Sequence, residues 1–524
     1  MRLDQLIWNS PGEKPEEAFL LGNGHFGVRA AFQPETDRME LFHSAFFSDG
    51  PGEQSGQVGS LVIETDLSGP VSGFERSLNL RDGIAACSFM AGETLHMRSV
   101  HAMEDPKVLC VHLSSTAPVH YRFSVSGDRL LRTGAAFDRI FFEGRAGAGE
   151  REGEQLLGMA FFMADQETQS SASALEVTSQ EVMIFLAMET DYVMDPKELP
   201  GENWREILKK CLDVEIEKAV HGYLGGKVRE NSCLAALSLP EAPKLSLAFA
   251  QSVHLVRSAF SSKSPIPCGS EGAWPETGAG KIPLEGMADR AKCLAAIGLR
   301  ECTSPLFAYL YYRALPGEPI LGGYSGYADA FGRMTQSERE ALDIAKLLAY
   351  APRESREAEA LAGQANRETT GNLRYTDPLC AQLSRIPSML DAGETQTAED
   401  TLKAVLDTSL SPLMLLLSPG GTWQLDAHVL LLLAVLSFLV SQDGTRLHVL
   451  RALPKSWQSG ELSGIHLCSL TLSRLLWQEG RLLACCLQGE AGSQITLCCQ
   501  GKEKCYVFPE DGKLCLTGED IYRE

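Results

Sequence analysis

Over the first 190 residues of this chain, apolar side chains return at every second position in short runs, and then the period changes. Runs such as Gly59-Ser60-Leu61-Val62-Ile63-Glu64-Thr65, Lys107 to Leu113 and Tyr121 to Val125 alternate as half-buried strands do. Gly, Pro and Asp punctuate them, which predicts a large β-sandwich over residues 1–190. From Trp204 the spacing becomes helical: Trp204 to Val220 has an apolar stripe and a charged face, within a linker at 191–242. Residues 243–442 are helix-rich, with amphipathic stretches at Leu245 to Arg257 and Ser304 to Arg313. Thr397 to Val405 opens with a threonine suited to capping and with acids behind it. Residues 443–524 return to period two, as in Ile465 to Leu472 and Arg481 to Leu487, and predict a second, C-terminal β-sandwich. A chain of this pattern is a multidomain β plus α protein, and no internal repeat is visible in it.

One stretch near the start stands apart. Phe19-Leu20-Leu21-Gly22-Asn23-Gly24-His25-Phe26-Gly27 sets three glycines around an asparagine between apolar flanks. Only small or left-handed-tolerant residues take so tight a turn, and the plain reading is a hairpin. It is not a phosphate-binding loop, because no GK[ST] and no helix pattern follow.

Charge and cysteine content narrow the function classes. A formal net charge of −21 over 524 residues disfavours nucleic acid and anionic membranes as partners. The N-terminus lacks the apolar core of a signal peptide, and the fifteen cysteines include no CxxC pair. Reduced thiols in a cytoplasm and no structural zinc are the expectation. The most apolar stretch, Leu425 to Val440, is short for a bilayer and carries Asp426 and His428 at its start, so it reads as a buried core helix.

Several spaced segments resemble glycoside hydrolase family 95, the α-L-fucosidase-like enzymes. They are Glu17 to Gly27, Phe74 to Ala85 with its Arg76-Ser77-Leu78-Asn79-Leu80 core, Arg98, Asp105-Pro106-Lys107-Val108, and Leu447 to Gly460 with its Leu453-Pro454-Lys455-Ser456-Trp457 core. The resemblance implies an (α/α) toroid between the two sandwiches, shortened here because about 200 residues is few for a dozen helices of ~10–14 residues. It implies an inverting glycosidase acting on the terminal sugar of an oligosaccharide; separately, no cofactor and no metal are expected. Such hydrolysis uses one carboxyl to protonate the leaving oxygen and another to activate water.

The segment Gly420 to His428 resembles the family's base motif and makes Asp426 the candidate base. A helix N-cap is the other role open to it. The same resemblance places Trp274 and His428 on the sugar; a core tryptophan and a structural histidine are the alternatives. Where the family carries two water-holding asparagines, this chain has residues near Leu284 and Gly286, and the family's acid segment has no counterpart. Glu276, Asp329, Glu338 and Glu340 are substitutes without a motif behind them. A non-catalytic sugar-binding descendant is therefore the competing expectation, and a phosphorylase of similar architecture the third.

Overall fold

The computed structural model describes residues 4–44, 46, 56–146, 155–191, 203–224, 235–262, 286–309, 351, 375, 377–419, 421 and 423–522. The N-terminal β domain is one antiparallel sheet of 14 strands that shares a single long strand, Leu109–Ser126. The first half of that strand pairs with Thr94–Ala102, and its second half pairs with Gln57–Thr65. Its other edge runs along Ala174–Thr190 throughout. The change of neighbour falls at Ser115 to Val119, where burial stops alternating and Pro118 offers no N–H to a ladder. The partner strand answers with a bulge between Ser179 and Glu181. One strand thus serves both halves of the domain, and alternate residues such as Leu109, Val111, Leu113, Tyr121, Phe123 and Val125 fill the core.

Two arginines from the resembling segments are buried clamps. Arg76 donates from Nε to the Ser10 carbonyl at 2.7 Å and from Nη1 to the Glu17 carbonyl at 2.6 Å. Arg98 donates to the Gln33 carbonyl at 2.7 Å and to Thr65 Oγ1 at 3.0 Å. A guanidinium has five donors in a fixed fork, so each binds several loop carbonyls that would otherwise be buried unpaired.

Helix α1 (Trp204–Leu224) lies on the outer face of this domain. Leu208, Leu212, Ile216 and Ala219 recur every three or four residues, and the last three pack on Val108, Met159, Met183 and Phe185. The strand Ala236–Ser238 then pairs with Gly460–His466, so residues just past α1 complete a five-stranded C-terminal sheet. A four-stranded sheet accompanies it and contains one parallel pair, Arg446–Val449 with Gln494–Cys499.

The described helices between these sheets are α2 (Pro243–Ala259), α3 (Met287–Ala296), α4 (Ser304–Tyr309), α5 (Pro378–Asp391), α6 (Thr395–Ser409) and α7 (Leu425–Leu439). A last short helix, α8 (Gly518–Tyr522), closes the C-terminal strands. Helix α7 is apolar around its whole circumference because it packs on α2, α3 and α5 at once. Among the described residues no helix is long and apolar enough to cross a membrane. Helix α6 begins at Thr395, two residues before the threonine expected to open it, and its N-cap position is Glu394, without a side-chain cap. Whether the helices form a shortened ring turns on residues 310–350 and 352–374, outside the described residues.

The glycine-rich turn is a hairpin with a second task. Phe19–Gly22 pairs with Phe26–Ala30, and Asn23 Oδ1 accepts from the His25 and Phe26 N–H groups at 3.0 and 2.9 Å. The last turn of α2 lies directly on it: the Gly24 N–H donates to the Ser258 carbonyl at 2.9 Å. A Cβ on Gly24, at φ +74°, would meet the Phe260 oxygen at 1.9 Å, and one on Gly22 would meet the Ser258 oxygen at 2.3 Å. Beside them His254 Nε2 donates to the Leu20 carbonyl at 2.8 Å. The turn seats the helical domain on the β domain, which is why side chains are excluded from it.

Candidate active site

Helix α7 and helix α3 meet at their N-terminal ends. Asp426 is the second residue of α7, after the N-cap Gln424, so it does not cap the helix. Its carboxylate instead receives a bidentate pair from Arg290 of α3: Nε to Oδ1 at 2.7 Å and Nη2 to Oδ2 at 2.6 Å. The Arg290 side chain is 2% exposed and that of Asp426 is 14%, so one partner is fully interior and the other keeps partial access to solvent. Burial opposes the charge on Arg290, and the Asp426 carboxylate overrides it, holding the guanidinium above its ordinary pKa.

The neighbouring residue, Asp289, is the second carboxyl of this place. Burial raises it above the usual carboxylate range; the Tyr375 hydroxyl and Lys292 work against that rise, and the charge of Asp426 adds to it. Tyr375 Oη donates to Asp289 Oδ2 at 2.9 Å. Burial, with the charges of Asp289 and Asp426 behind it, pushes the Tyr375 phenol up, so it stays a donor. Gly286, the N-cap position of α3, sits at φ +73° against Tyr375, where a Cβ would come within 2.3 Å of the hydroxyl. One of the two expected asparagine positions is thus a backbone position closed to side chains.

Two carboxyls in unlike surroundings, one ion-paired and one pushed toward its neutral form, are the arrangement that acid and base roles require. The other expected site residues fall differently. His428 is fully buried two residues into α7 from Asp426. Ser252 Oγ gives its proton to the Ala248 carbonyl at 2.8 Å, so it accepts from His428 Nδ1, also at 2.8 Å. His428 Nε2 accepts the Leu416 N–H at 3.0 Å. Burial drives its pKa down to about 3, and both nitrogens serve the core, leaving neither for a sugar. Trp274, with Glu276, Leu284, Asp329, Glu338 and Glu340, lies outside the described residues.

Sequence reasoning missed Asp289, Arg290 and Tyr375. A signal for Arg290 was present: it shares a helix face with Met287, Ala291 and Leu294, and an arginine on an apolar face calls for a buried carboxylate. Nothing in the pattern marked Tyr375.

Residues 54–195 match the model of the glycosyl hydrolase family 65 N-terminal domain. No curated protein matches the sequence. Among solved structures, the chain is similar to one named as a candidate kojibiose phosphorylase from human microbiome. The identity is 10%, the TM-score 0.55, and 98% of each chain is covered. A family GH92 alpha-mannosidase from Bacteroides thetaiotaomicron aligns over 78% of this chain and 65% of its own, at 10% identity and a TM-score of 0.25, too low to bear on the fold. The structural likeness supports a multidomain β plus α fold of the kind seen in the phosphorylase-named protein; the family match, over residues 54–195, is to a family 65 N-terminal domain and not to family 95.

Proposed function

We propose that the chain is a glycoside-cleaving enzyme that hydrolyses an α-linked terminal sugar with inversion, and that Asp289 and Asp426 are its two carboxyls. The observation that carries this reading is the pair of environments just described. Asp289, shifted toward its neutral form, gives its proton to the leaving oxygen as the bond from C1 breaks. Asp426, held in place by Arg290, takes the proton of the water that attacks C1 from the opposite face. The Nε–Nη2 edge of Arg290 is filled by Asp426, which favours water over phosphate as the nucleophile. The α-L-fucoside expected from the sequence is one substrate to test, and an α-glucoside is the other.

A second reading is a sugar-binding protein without catalysis. It is favoured by one observation: both oxygens of Asp426 are already engaged by Arg290.

Leaving-group dependence separates the two. Aryl α-L-fucosides and aryl α-glucosides with good and poor leaving groups are offered to the wild type and to Asp289→Asn. The enzyme reading predicts wild-type turnover of both kinds, and a variant that keeps activity on dinitrophenyl glycosides while losing roughly 10²–10⁴-fold on alkyl glycosides. No turnover of any aryl glycoside by a folded wild type, with saturable binding of the sugar, establishes the second reading instead.

A further inference from the structure

The described residues hold one more cluster of chemistry-bearing side chains, at the seam beside the glycine turn. His25 follows Gly24 in that turn. His43 ends the strand Thr36–His43, whose register sets it opposite Phe26. Glu189 comes from the far end of Ala174–Thr190. Three separate stretches of the β domain thus converge, and one ligand atom from each lies within 4.8 Å of the other two. Both histidines are buried, at 3% and 0% exposure, while Glu189 keeps 19% of its side chain open.

His25 carries the argument. Its Nε2 stands 3.2 Å from Glu189 Oε1 without the alignment of a hydrogen bond, and its Nδ1 meets no hydrogen-bond partner. Its ring lies edge-on to that of His43, with centroids 4.5 Å apart. A buried imidazole that forgoes hydrogen bonds destabilises the fold unless something else engages its nitrogens. The chain keeps it at the hairpin that seats α2, aimed at a second imidazole and a carboxylate.

We propose that His25, His43 and Glu189 bind a divalent ion of the zinc type, with water at the fourth position. Two imidazole nitrogens and one carboxylate oxygen are a zinc donor set. Tetrahedral zinc with bonds of ~2.0–2.2 Å sets its ligands about 3.4 Å apart, so the three groups need only close in by side-chain rotation. The carboxylate balances half of the ion's charge, and its partial exposure gives the ion a way in. The bound ion would tie the glycine hairpin to the last long strand of the β domain, a role independent of the sugar chemistry above. The expectation of a metal-free protein, which rested on the absence of CxxC spacing, did not weigh ligands this far apart in sequence.

Full-length protein stripped with EDTA is titrated with Zn²⁺ by calorimetry and with Co²⁺ by absorption spectroscopy. The proposal predicts one equivalent of tight Zn²⁺ binding. It also predicts visible Co²⁺ d–d bands without the near-ultraviolet sulfur charge-transfer band that a cysteine site would add. Glu189→Gln, at a partly exposed position and checked for folding by circular dichroism, weakens Zn²⁺ by roughly tenfold or more. His25→Gln, folded by the same criterion, does the same. No stoichiometric binding, a sulfur charge-transfer band, or affinity unchanged in both variants would overturn the site and leave His25 and Glu189 as a plain ion pair.

Discussion

At the scale of single residues, the ion pair between Arg290 and Asp426 dominates. A buried pair contributes little over an apolar substitute, but removing one partner strands the other's charge. Asp426→Asn is therefore expected to lose about 3–5 kcal/mol of stability, measured by urea unfolding. The double variant Arg290→Met/Asp426→Leu is expected to regain most of that loss. A double variant as unstable as the single one would mean that the pair is favourable in itself. The same coupling warns that lost activity in Asp426→Asn alone does not identify a base, which is why Asp289→Asn is the cleaner probe. The resemblance singles out Asp426 and His428 but says nothing of their surroundings. The partner of Asp426 lies 136 residues upstream, on a helix of only 10 residues. The resemblance of its segment places His428 on the sugar, but it is satisfied by a serine 176 residues away.

At the scale of elements, the closest tolerance is where α2 rests on the glycine turn. Gly24→Ala places a methyl group into the Phe260 carbonyl and forces a left-handed φ on a residue that resists it. The expected cost is at least about 2 kcal/mol in unfolding free energy, with Gly73→Ala as a control. Gly73 shares the positive φ, at +61°, but a Cβ there meets nothing within 4 Å. Equal losses in both variants would show that backbone strain alone matters and that the contact with α2 does not. Period and punctuation made the strands of the first domain, helix α1 and the core helix α7 legible from sequence, because each has a strong apolar pattern. The sharing of one long strand by both halves of the sheet was not legible. It depends on which distant strands pair, and only Pro118 hints at the change of neighbour.

At the scale of the whole molecule, buried histidines couple stability to pH. Burial lowers His254 to about 4 and His428 to about 3. In the folded protein both rings stay neutral well below pH 6, while in the unfolded chain they take up protons near their ordinary 6.5. The unfolded state therefore gains protons first as pH falls below about 6.5, and stability drops by up to ~1.4 kcal/mol per pH unit for each ring, levelling off near the folded values. Asp289 and Asp37 act in the opposite sense, because burial raises both and the folded state takes up their protons first. The informative quantity is thus a difference: His254→Gln is expected to remove up to about 2 kcal/mol of the stability change between pH 7 and pH 5. An unchanged pH dependence in that variant would place the coupling elsewhere.

The claim on which the account turns is that this molecule cleaves an α-linked glycoside with water and inversion. Proton NMR of the anomeric region, recorded from the first minutes of incubation with α-linked disaccharides in the presence and absence of phosphate, tests it most directly. The account predicts free sugar appearing first as the β-anomer, at a rate indifferent to phosphate. Sugar released first as the α-anomer, sugar phosphate formed only when phosphate is supplied, or no release at all from any disaccharide would contradict it.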